Sequence, residues 1–290
     1  MIDKKRFIHL LHCQSLSWKN IYFYLRKDPT LINLYSSSNS SLRQAFQLST
    51  SKFIQFQREL NSFSHKKTLQ RYEADRIKIV TIFDQDYPFL LKNIFQPPWG
   101  LFCQGNLDLL SKGKRLAVVG ARNANEYAER TLTELLPPLV HQNIIIVSGL
   151  ATGVDTFAHK MTIKFNGDTI AVLGGGFNHI YPKKNEVLAR EIANDYLLLS
   201  EYPPDTMPKK WHFPARNRII SGLSKGSLIV QAGARSGSLI TAEMALNEGR
   251  DVFAIPGPIH HPLSIGTNSL IKQGAILVQT AEDILQEMSV

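Results

Sequence analysis

The pattern of hydrophobic and polar positions changes once along the chain, after about residue 70. Before it, apolar positions recur at helical spacing in Ile2–Cys13, Trp18–Leu25 and Leu42–Phe63. Ser36–Ser41 interrupts this spacing and is typical of a loop. The pattern predicts a small all-helical domain over residues 1–70, in which the aromatic side chains form the core rather than a base-stacking surface.

From Ile77 onward, short continuous runs of Val, Ile and Leu alternate with helical patterns. Such runs are typical of strands buried on both faces, and the alternation predicts an α/β fold with a doubly wound parallel sheet over residues 71–290. A helix over 125–141 contains Pro137 and Pro138, which we expect to disturb it. A capping box, Thr280 with Asp283, predicts the start of the last helix. The predicted extended segments are 77–83, 97–105, 115–122, 143–149, 168–176, 196–202, 226–233, 250–257 and 275–280.

Four loops at the predicted strand ends combine glycines with basic or small polar residues. Ligands of such sheets bind beyond the carboxyl ends of the strands, glycines allow close backbone approach, and helix N-termini offer N–H groups to anions. We take Ser238 as the N-cap of one of these helices. Neither a G-x-G-x-x-G nor a P-loop motif occurs, so dinucleotide and nucleoside-triphosphate chemistry are disfavoured. Several such loops favour a row of phosphates. The candidate ligand-binding residues in these loops are Gly120, Arg122, Ser148, Gly149, Lys183, Lys184, Asn185, Arg235, Ser236, Gly237 and Ser238.

A segment without carboxylates lies between Asp205 and Glu243 and contains Arg216, Asn217 and Arg218. In an extended loop the two arginines would project to the same side, which suits phosphate recognition, whereas on a helix they would point to different faces. We expect the extended loop. The alternative is that at least one arginine pairs with a buried carboxylate.

Trp211, His212 and Phe213 directly precede these arginines. An aromatic ring beside arginines can stack an unpaired base, and Phe213 is the candidate for this role. The alternative is that Phe213 fills space beneath the arginine loop.

Neither a catalytic site nor a metal or cofactor site is predicted. Asp155 and His159 share a helix face at i and i+4, and we interpret them as a structural pair rather than an acid–base pair. The adjacent His260 and His261 lack further metal ligands at suitable spacing. The cysteines, the N-terminus and the length of the apolar runs indicate a reducing cytoplasmic location and no membrane association.

The net charge of +9 is concentrated in the helical part. Residues 1–76 hold 13 Lys and Arg against 5 Asp and Glu, a balance of +8, and the rest of the chain is nearly neutral. This charge would attract a nucleic acid or an acidic membrane surface, or it forms a solubilising face.

Five motifs, in order, resemble the DprA/Smf family of DNA-processing proteins between about residues 77 and 284. The resemblance implies an extended Rossmann fold with an N-terminal SAM-like or helix-hairpin-helix-like domain. It also implies binding of single-stranded DNA, homodimerisation through the Rossmann domain, and loading of the RecA recombinase during natural transformation. The motifs are SGLATGVDTFAHK, AVLGGGFNHIYPKKN, FPARNRIISGLS, ARSGSLITAEMAL and GTNSLIKQGA.

The resemblance places the DNA in a basic pocket at the strand ends. The matching positions are Arg122, Ser148–Gly149, the Lys183–Asn185 run, Arg216 and Arg218. The chain departs from the family pattern at two motif positions. Thr152 replaces a lysine found in many members, and Gln231 replaces a glutamate. Some members carry a further winged-helix domain, which we do not expect here because the sequence stops at Val290.

Two other functions stay open. A nucleotide-processing enzyme of the phosphoribohydrolase type would carry P-G-G-x-G-T-x-x-E, but here Thr241 stands at the glutamate position and Glu243 would face another side of the helix. A protein adaptor with a vestigial site is the other alternative.

Overall fold

The computed structural model describes residues 2–289, and in this range thirteen α-helices and nine strands follow one another. The helices are α1 (Lys4–His12), α2 (Trp18–Lys27), α3 (Asn39–Ala45), α4 (Thr50–Ser62), α5 (His65–Ala74), α6 (Phe89–Lys92), α7 (Glu126–His141), α8 (Val154–Lys164), α9 (Glu186–Asp195), α10 (His212–Leu223), α11 (Gly237–Asn247), α12 (Ile265–Lys272) and α13 (Ala281–Ser289). The strands are β1 (Ile77–Thr81), β2 (Gly100–Gly105), β3 (Lys114–Val119), β4 (Ile144–Ser148), β5 (Thr169–Leu173), β6 (Leu197–Ser200), β7 (Gly226–Ile229), β8 (Asp251–Ala254) and β9 (Ile276–Leu277).

The strands form one mixed sheet in the order β1-β2-β6-β5-β4-β3-β7-β8-β9. The seven strands β6, β5, β4, β3, β7, β8 and β9 are parallel. Apart from β9, their residues are mostly buried between apolar clusters on the two faces of the sheet. The predicted doubly wound α/β fold is confirmed. The edge formed by β1 and β2 departs from the predicted parallel arrangement, because β2 pairs with β6 in antiparallel orientation and β1 pairs with β2 in the same way.

The first five helices precede the sheet, and the first four enclose a core of their own. Phe7, Phe46 and Phe56 are fully buried there, and Tyr24 stacks on Phe46 at 4.1 Å between ring centroids. The aromatic residues therefore form a core, as the pattern predicts. The predicted domain boundary at residue 70 falls inside α5 and stays a prediction.

The predicted helix over Leu42–Phe63 is wrong, because two helices occupy this segment. Gln47 has a positive φ of 52°, which ends α3, and the Ser49 side chain caps α4. The predicted loop also extends too far, since Ser38 caps α3 and Asn39 begins it. Serines favour caps as well as loops, so the serine-rich stretch carries both signals.

Helix α7 passes through Pro137 and Pro138 without interruption, so the predicted disturbance is wrong. Leu132, Leu136 and Leu139 of this helix are fully buried against the sheet. We attribute the continuity to this packing, which outweighs the missing N–H donors.

The predicted start of α13 is confirmed, because the Thr280 N–H donates to the Asp283 carboxylate at 2.8 Å. Among the helices of residues 2–289, none combines the length and the apolar character needed to cross a bilayer.

The helical part packs on the sheet through aromatic residues. Trp18 and Trp99 stack with centroids 4.9 Å apart. The Trp18 Nε1–H donates to the Pro97 carbonyl at 2.7 Å, which joins α2 to the loop before β2. On the other side of the contact, Arg71 of α5 pairs with Asp205 at 2.6 Å. The Arg71–Asp205 pair places the loop between β6 and α10 against the helical part.

Candidate functional site

A cavity of about 470 Å³ opens beyond the carboxyl ends of β3 and β7. These two strands are neighbours at the point where the strand order reverses. The strands β4, β5 and β6 lie on one side of them, and β8 and β9 lie on the other. Such a switch point is where open α/β sheets bind ligands. The cavity is lined by the loop after β3, the loop after β7 with the start of α11, and one side of α10. From the predicted site it contains Gly120, Arg122, Phe213, Arg216, Asn217, Arg235, Ser236, Gly237 and Ser238.

Arg122 and Arg235 supply the accessible positive charge of this cavity. Both are exposed, and neither forms an ion pair with any carboxylate in the described part of the chain. The Arg122 guanidinium carbon lies 5.7 Å from the centroid of the Phe213 ring. Phe213 is partly buried, and its ring also contacts Tyr181 at 5.6 Å. A cation and an aromatic face therefore stand side by side at the cavity wall.

Arg216 belongs to α10, so the predicted extended arginine loop is wrong. The side chain is buried, and its Nη1–H groups donate to the carbonyls of Gly149 and Val172. Burial lowers the pKa of Arg216 to about 10, and the nearby Asp155 carboxylate opposes this shift. Arg216 therefore joins the ends of β4 and β5 through Nη1 and forms part of the cavity wall, while its Nε–H is buried without a hydrogen-bond partner within residues 2–289.

Asp155 is the carboxylate that lines this cavity. It is buried, and its Oδ2 accepts a hydrogen bond from the Ala151 N–H at 3.2 Å. Burial raises its pKa, while Arg216 acts in the opposite direction. From the sequence, Asp155 is expected to form a structural pair with His159. The two do not bond to each other, since His159 Nδ1 lies 2.7 Å from the Thr169 hydroxyl oxygen.

Arg218 lies two residues after Arg216 on α10 and faces away from this cavity. Its Nη2 donates to the Glu201 carboxylate at 2.6 Å, and about one fifth of each side chain is exposed. Arg218 thus pairs with a carboxylate, as the alternative expected, although Glu201 is partly rather than fully buried. A helix separates positions i and i+2 onto different faces, which explains why the two arginines diverge.

Three further predicted residues support the loops rather than line the cavity. The Ser148 hydroxyl is fully buried and donates to the Val118 carbonyl at 2.6 Å. Gly149 packs against the Arg216 guanidinium, and a Cβ at this position would overlap with it. Asn185 is buried, and its amide nitrogen donates to the Leu150 carbonyl at 2.9 Å.

Lys183 and Lys184 are exposed in a short 3₁₀ helix on the connection after β5. This connection leaves the carboxyl end of its strand, as the cavity loops do, but the two lysines lie outside the cavity lining. They add positive charge near the cavity without entering it.

The loop after β7 ends in a serine cap, and the cap is Ser236 rather than the predicted Ser238. The Ser236 Oγ accepts from the Ser238 N–H at 3.3 Å. The α11 N-terminus thus faces the cavity, and its dipole favours an anion there.

The two departures from the family pattern have structural partners. The Thr152 hydroxyl donates to the Arg122 carbonyl at 2.8 Å, which ties the loop before α8 to the loop after β3. The Gln231 amide donates to Asn125 Oδ1 at 2.8 Å and accepts from the Asn125 N–H at 3.3 Å. Between these contacts, Gly153 has a φ of +75°, and a Cβ there would collide with the Ala121 carbonyl oxygen.

Within residues 2–289, no group of three or more His, Cys, Asp or Glu side chains could hold a metal ion. His260 and His261 are therefore not part of such a cluster.

The fold and the cavity define a Rossmann-like protein with a cationic, partly aromatic ligand site at the switch point of its sheet. The family model of DNA recombination-mediator protein A matches residues 78–289. The chain belongs to this family, the DprA/Smf family of DNA-processing proteins.

Individual relatives agree with this assignment. The DNA processing protein DprA of Bacillus subtilis is 42% identical over 95% of this chain and 92% of its own length. The X-ray structure of DprA from Streptococcus pneumoniae superposes with a TM-score of 0.85 at 38% identity, covering 99% of both chains. The structure of DNA processing protein A from Helicobacter pylori, described for its single-stranded DNA binding mode, has a TM-score of 0.67 at 30% identity. It covers 74% of this chain and 96% of that protein.

Proposed function

We propose that the protein binds single-stranded DNA without sequence preference in the cavity at the ends of β3 and β7. The observation that carries this proposal is the pairing of Arg122 with Phe213 at the cavity wall, 5.7 Å from guanidinium carbon to ring centroid, with no carboxylate neutralising the arginine among residues 2–289. A phosphate and an adjacent unpaired base could use the two groups together.

The other groups of the cavity suit the same ligand. Arg235 provides a second accessible cation, and the start of α11 at Gly237 and Ser238 provides the positive end of a helix dipole. The lining holds three arginines and one carboxylate, and that carboxylate, Asp155, is buried beside Arg216. The accessible charge is therefore positive, as binding to consecutive phosphates requires.

Arg122→Ala tests the proposal. We expect weaker binding to oligonucleotides of every sequence, and a slope of log affinity against log salt that is smaller by about 0.7, the value for one lost phosphate contact on a single strand. Arg130→Ala is the matched control, because Arg130 is an exposed arginine on α7 paired with Glu134. Fluorescence anisotropy with labelled oligonucleotides measures both quantities. Unchanged affinity for Arg122→Ala would refute the site.

We infer a binding protein rather than an enzyme that hydrolyses nucleotides. Thr241 lines the cavity where the phosphoribohydrolase signature has its glutamate, and Glu243 is exposed outside the cavity lining. Incubation with nucleoside monophosphates and chromatography for free base tests this point. Released base would contradict the proposal.

Membership of the family supports a further proposal, that the protein forms a homodimer through the Rossmann-like part and loads the RecA recombinase onto the bound strand in the cytoplasm. Sedimentation velocity tests the dimer. Filament assembly by RecA on strands precoated with a single-strand-binding protein tests the loading, and we expect this chain to accelerate it.

A further inference from the structure

A second cavity, of about 460 Å³, lies between the helical part and the sheet. We call it the interdomain cavity. Helix α10 forms its wall on the sheet side. The opposite face of α10 lines the cavity at the ends of β3 and β7, which we call the strand-end cavity. From α10 and the residue that caps it, Trp211, His212, Ala215 and Arg218 line the interdomain cavity, whereas Phe213, Pro214, Arg216, Asn217 and Ile220 line the strand-end cavity.

Aromatic rings line both sides of the interdomain cavity. On the side of the helical part, Trp18 and Trp99 are stacked 4.9 Å apart, with 17° between their planes. Their indole N–H groups donate to the carbonyls of Pro97 and Trp18, so the rings offer mainly apolar surface to the cavity. On the sheet side, Tyr202 stacks on His212 at 4.1 Å. The rings border the cavity together with polar side chains such as Gln14 and Glu201, and this mixed lining suits an aromatic base with polar edges.

Two cationic groups accompany these rings. Trp211, at the cavity rim, is 66% exposed, and the Lys209 Nζ lies 5.4 Å from its ring centroid. Arg218 pairs with Glu201 through Nη2, but its Nη1 is buried and has no hydrogen-bond partner within residues 2–289. A buried donor without an acceptor is costly, which favours a ligand that brings an oxygen to it. The rings and cations together favour a base with its phosphate.

We propose that the bound single strand continues from the strand-end cavity over the N-terminus of α10 and into the interdomain cavity, where the next base stacks on Trp211 and Lys209 contacts its phosphate. This inference rests on the proposed function of the strand-end cavity. Trp211 and Phe213 are two residues apart, so their Cα atoms are separated by at most about 7 Å. This short separation favours successive nucleotides of one strand over an independent small molecule.

The test uses the full chain and labelled oligothymidylates graded from about 4 to about 16 nucleotides, the range that single-stranded binding sites cover. In the unsubstituted protein, affinity should rise once the strand is long enough to reach the second cavity. Trp211→Ala should remove this increment, about tenfold for one lost stacking contact, and leave the affinity for the shortest strands unchanged. Trp211→Phe should retain most of the increment. Met207→Ala is the control, because Met207 is an equally exposed residue of the same loop outside the cavity lining.

The outcomes separate the two proposals. If Trp211→Ala binds all lengths like the unsubstituted protein, or loses affinity equally at all lengths, the path through the interdomain cavity is wrong and the strand-end site stands. If the unsubstituted protein binds no oligothymidylate, the proposed function itself fails. Quenching of tryptophan fluorescence by long strands but not by mononucleotides, lost in Trp211→Ala, would support the path. Equal quenching by mononucleotides would overturn it.

Discussion

Gly149 and Arg216 are fitted to each other at the carboxyl end of β4. The guanidinium donates to the Gly149 carbonyl at 2.5 Å and fills the space that a side chain at position 149 would need. The arginine that sequence analysis assigned to phosphate binding is thus held in the protein by the glycine that was assigned to the same role. This contact makes the shape of the strand-end cavity sensitive to a single methyl group.

Gly149→Ala should therefore displace the Arg216 guanidinium from its two carbonyl acceptors. Hydrogen bonds from a charged donor contribute about 1.5–3 kcal/mol each, so we expect the free energy of unfolding to fall by about 2 kcal/mol or more. Urea denaturation measures this change. Gly237→Ala is the matched control, since its added Cβ would have no neighbour within 4 Å, and it should leave stability nearly unchanged. Equal stability of the two variants would contradict this account of Arg216.

Lys183 and Lys184 should contact phosphates of the bound strand from outside the cavity lining. Both are exposed on the edge of the sheet that carries the cavity, and neither forms an ion pair within the described residues. The double substitution to alanine should reduce the salt slope of single-strand binding by up to about 1.4, the value for two phosphate contacts. The control is the double substitution of Lys164 and Lys272, exposed lysines that precede β5 and β9 and form no ion pair within the described residues. An equal reduction in both pairs would show that only net charge matters.

The two histidines of α1 should make the protein less stable as the pH falls below about 6.5. Burial, with the neighbouring His65, lowers the pKa of His9 to about 4, and burial lowers that of His12 to about 4. Above pH 6.5 these side chains are neutral in both the folded and the unfolded state. Between pH 6.5 and about 4 the unfolded chain binds protons that the folded chain does not. Stability should therefore fall by up to about 1.4 kcal/mol per pH unit for each histidine, and this contribution should level off below about pH 4.

Urea denaturation at a series of pH values measures this dependence. His12→Gln should flatten the profile between pH 6.5 and 4, whatever it does to stability at neutral pH. His260→Gln, a substitution of an exposed histidine outside α1, is the control. A profile for His12→Gln as steep as that of the unsubstituted protein would disprove this role of His12.

Arg218 and Glu201 should be energetically coupled. Their side chains are only about 20% exposed and lie 2.6 Å apart, so removal of one partner leaves the other charge partly buried. In a double-mutant cycle with Arg218→Met and Glu201→Gln, we expect a coupling of about 1–2 kcal/mol in the free energy of unfolding. Lys112 and Asp108, an exposed pair, should show a coupling near zero. Additive effects of the Arg218 and Glu201 substitutions would show that the ion pair does not stabilise the fold.

The sequence predicted the α/β part well because its strands are continuous Val, Ile and Leu runs, for which burial on both faces leaves little choice of structure. It failed at α10, where the basic composition of the segment favoured a loop. The helix forms because Ile219, Ile220 and Leu223 are fully buried against the sheet, and this packing is not visible in a local pattern. The same error placed Arg216 and Arg218 on one side and so overestimated the number of arginines available to a ligand.

Loop residues were harder to assign than strands for a related reason. Ser148 and Asn185 have the residue types expected of a binding loop, and they follow the predicted strands closely. Their hydrogen bonds, however, go to the Val118 and Leu150 carbonyls of neighbouring loops and strands, which only the tertiary structure brings near. Arg122 and Arg235 were identified together with them, but only the fold shows that the two arginines border one cavity.

Helix α5 has a practical consequence for dissecting the molecule. Its Tyr72 packs against Phe102 of β2, and its Arg71 pairs with Asp205, so its second half is attached to the sheet. A truncated chain beginning at residue 71 would lack the first turns of α5. It would keep Arg71 and Tyr72, whose positions depend on those turns. Expression of the sheet portion alone should therefore start in front of His65, where the cut falls between two helices.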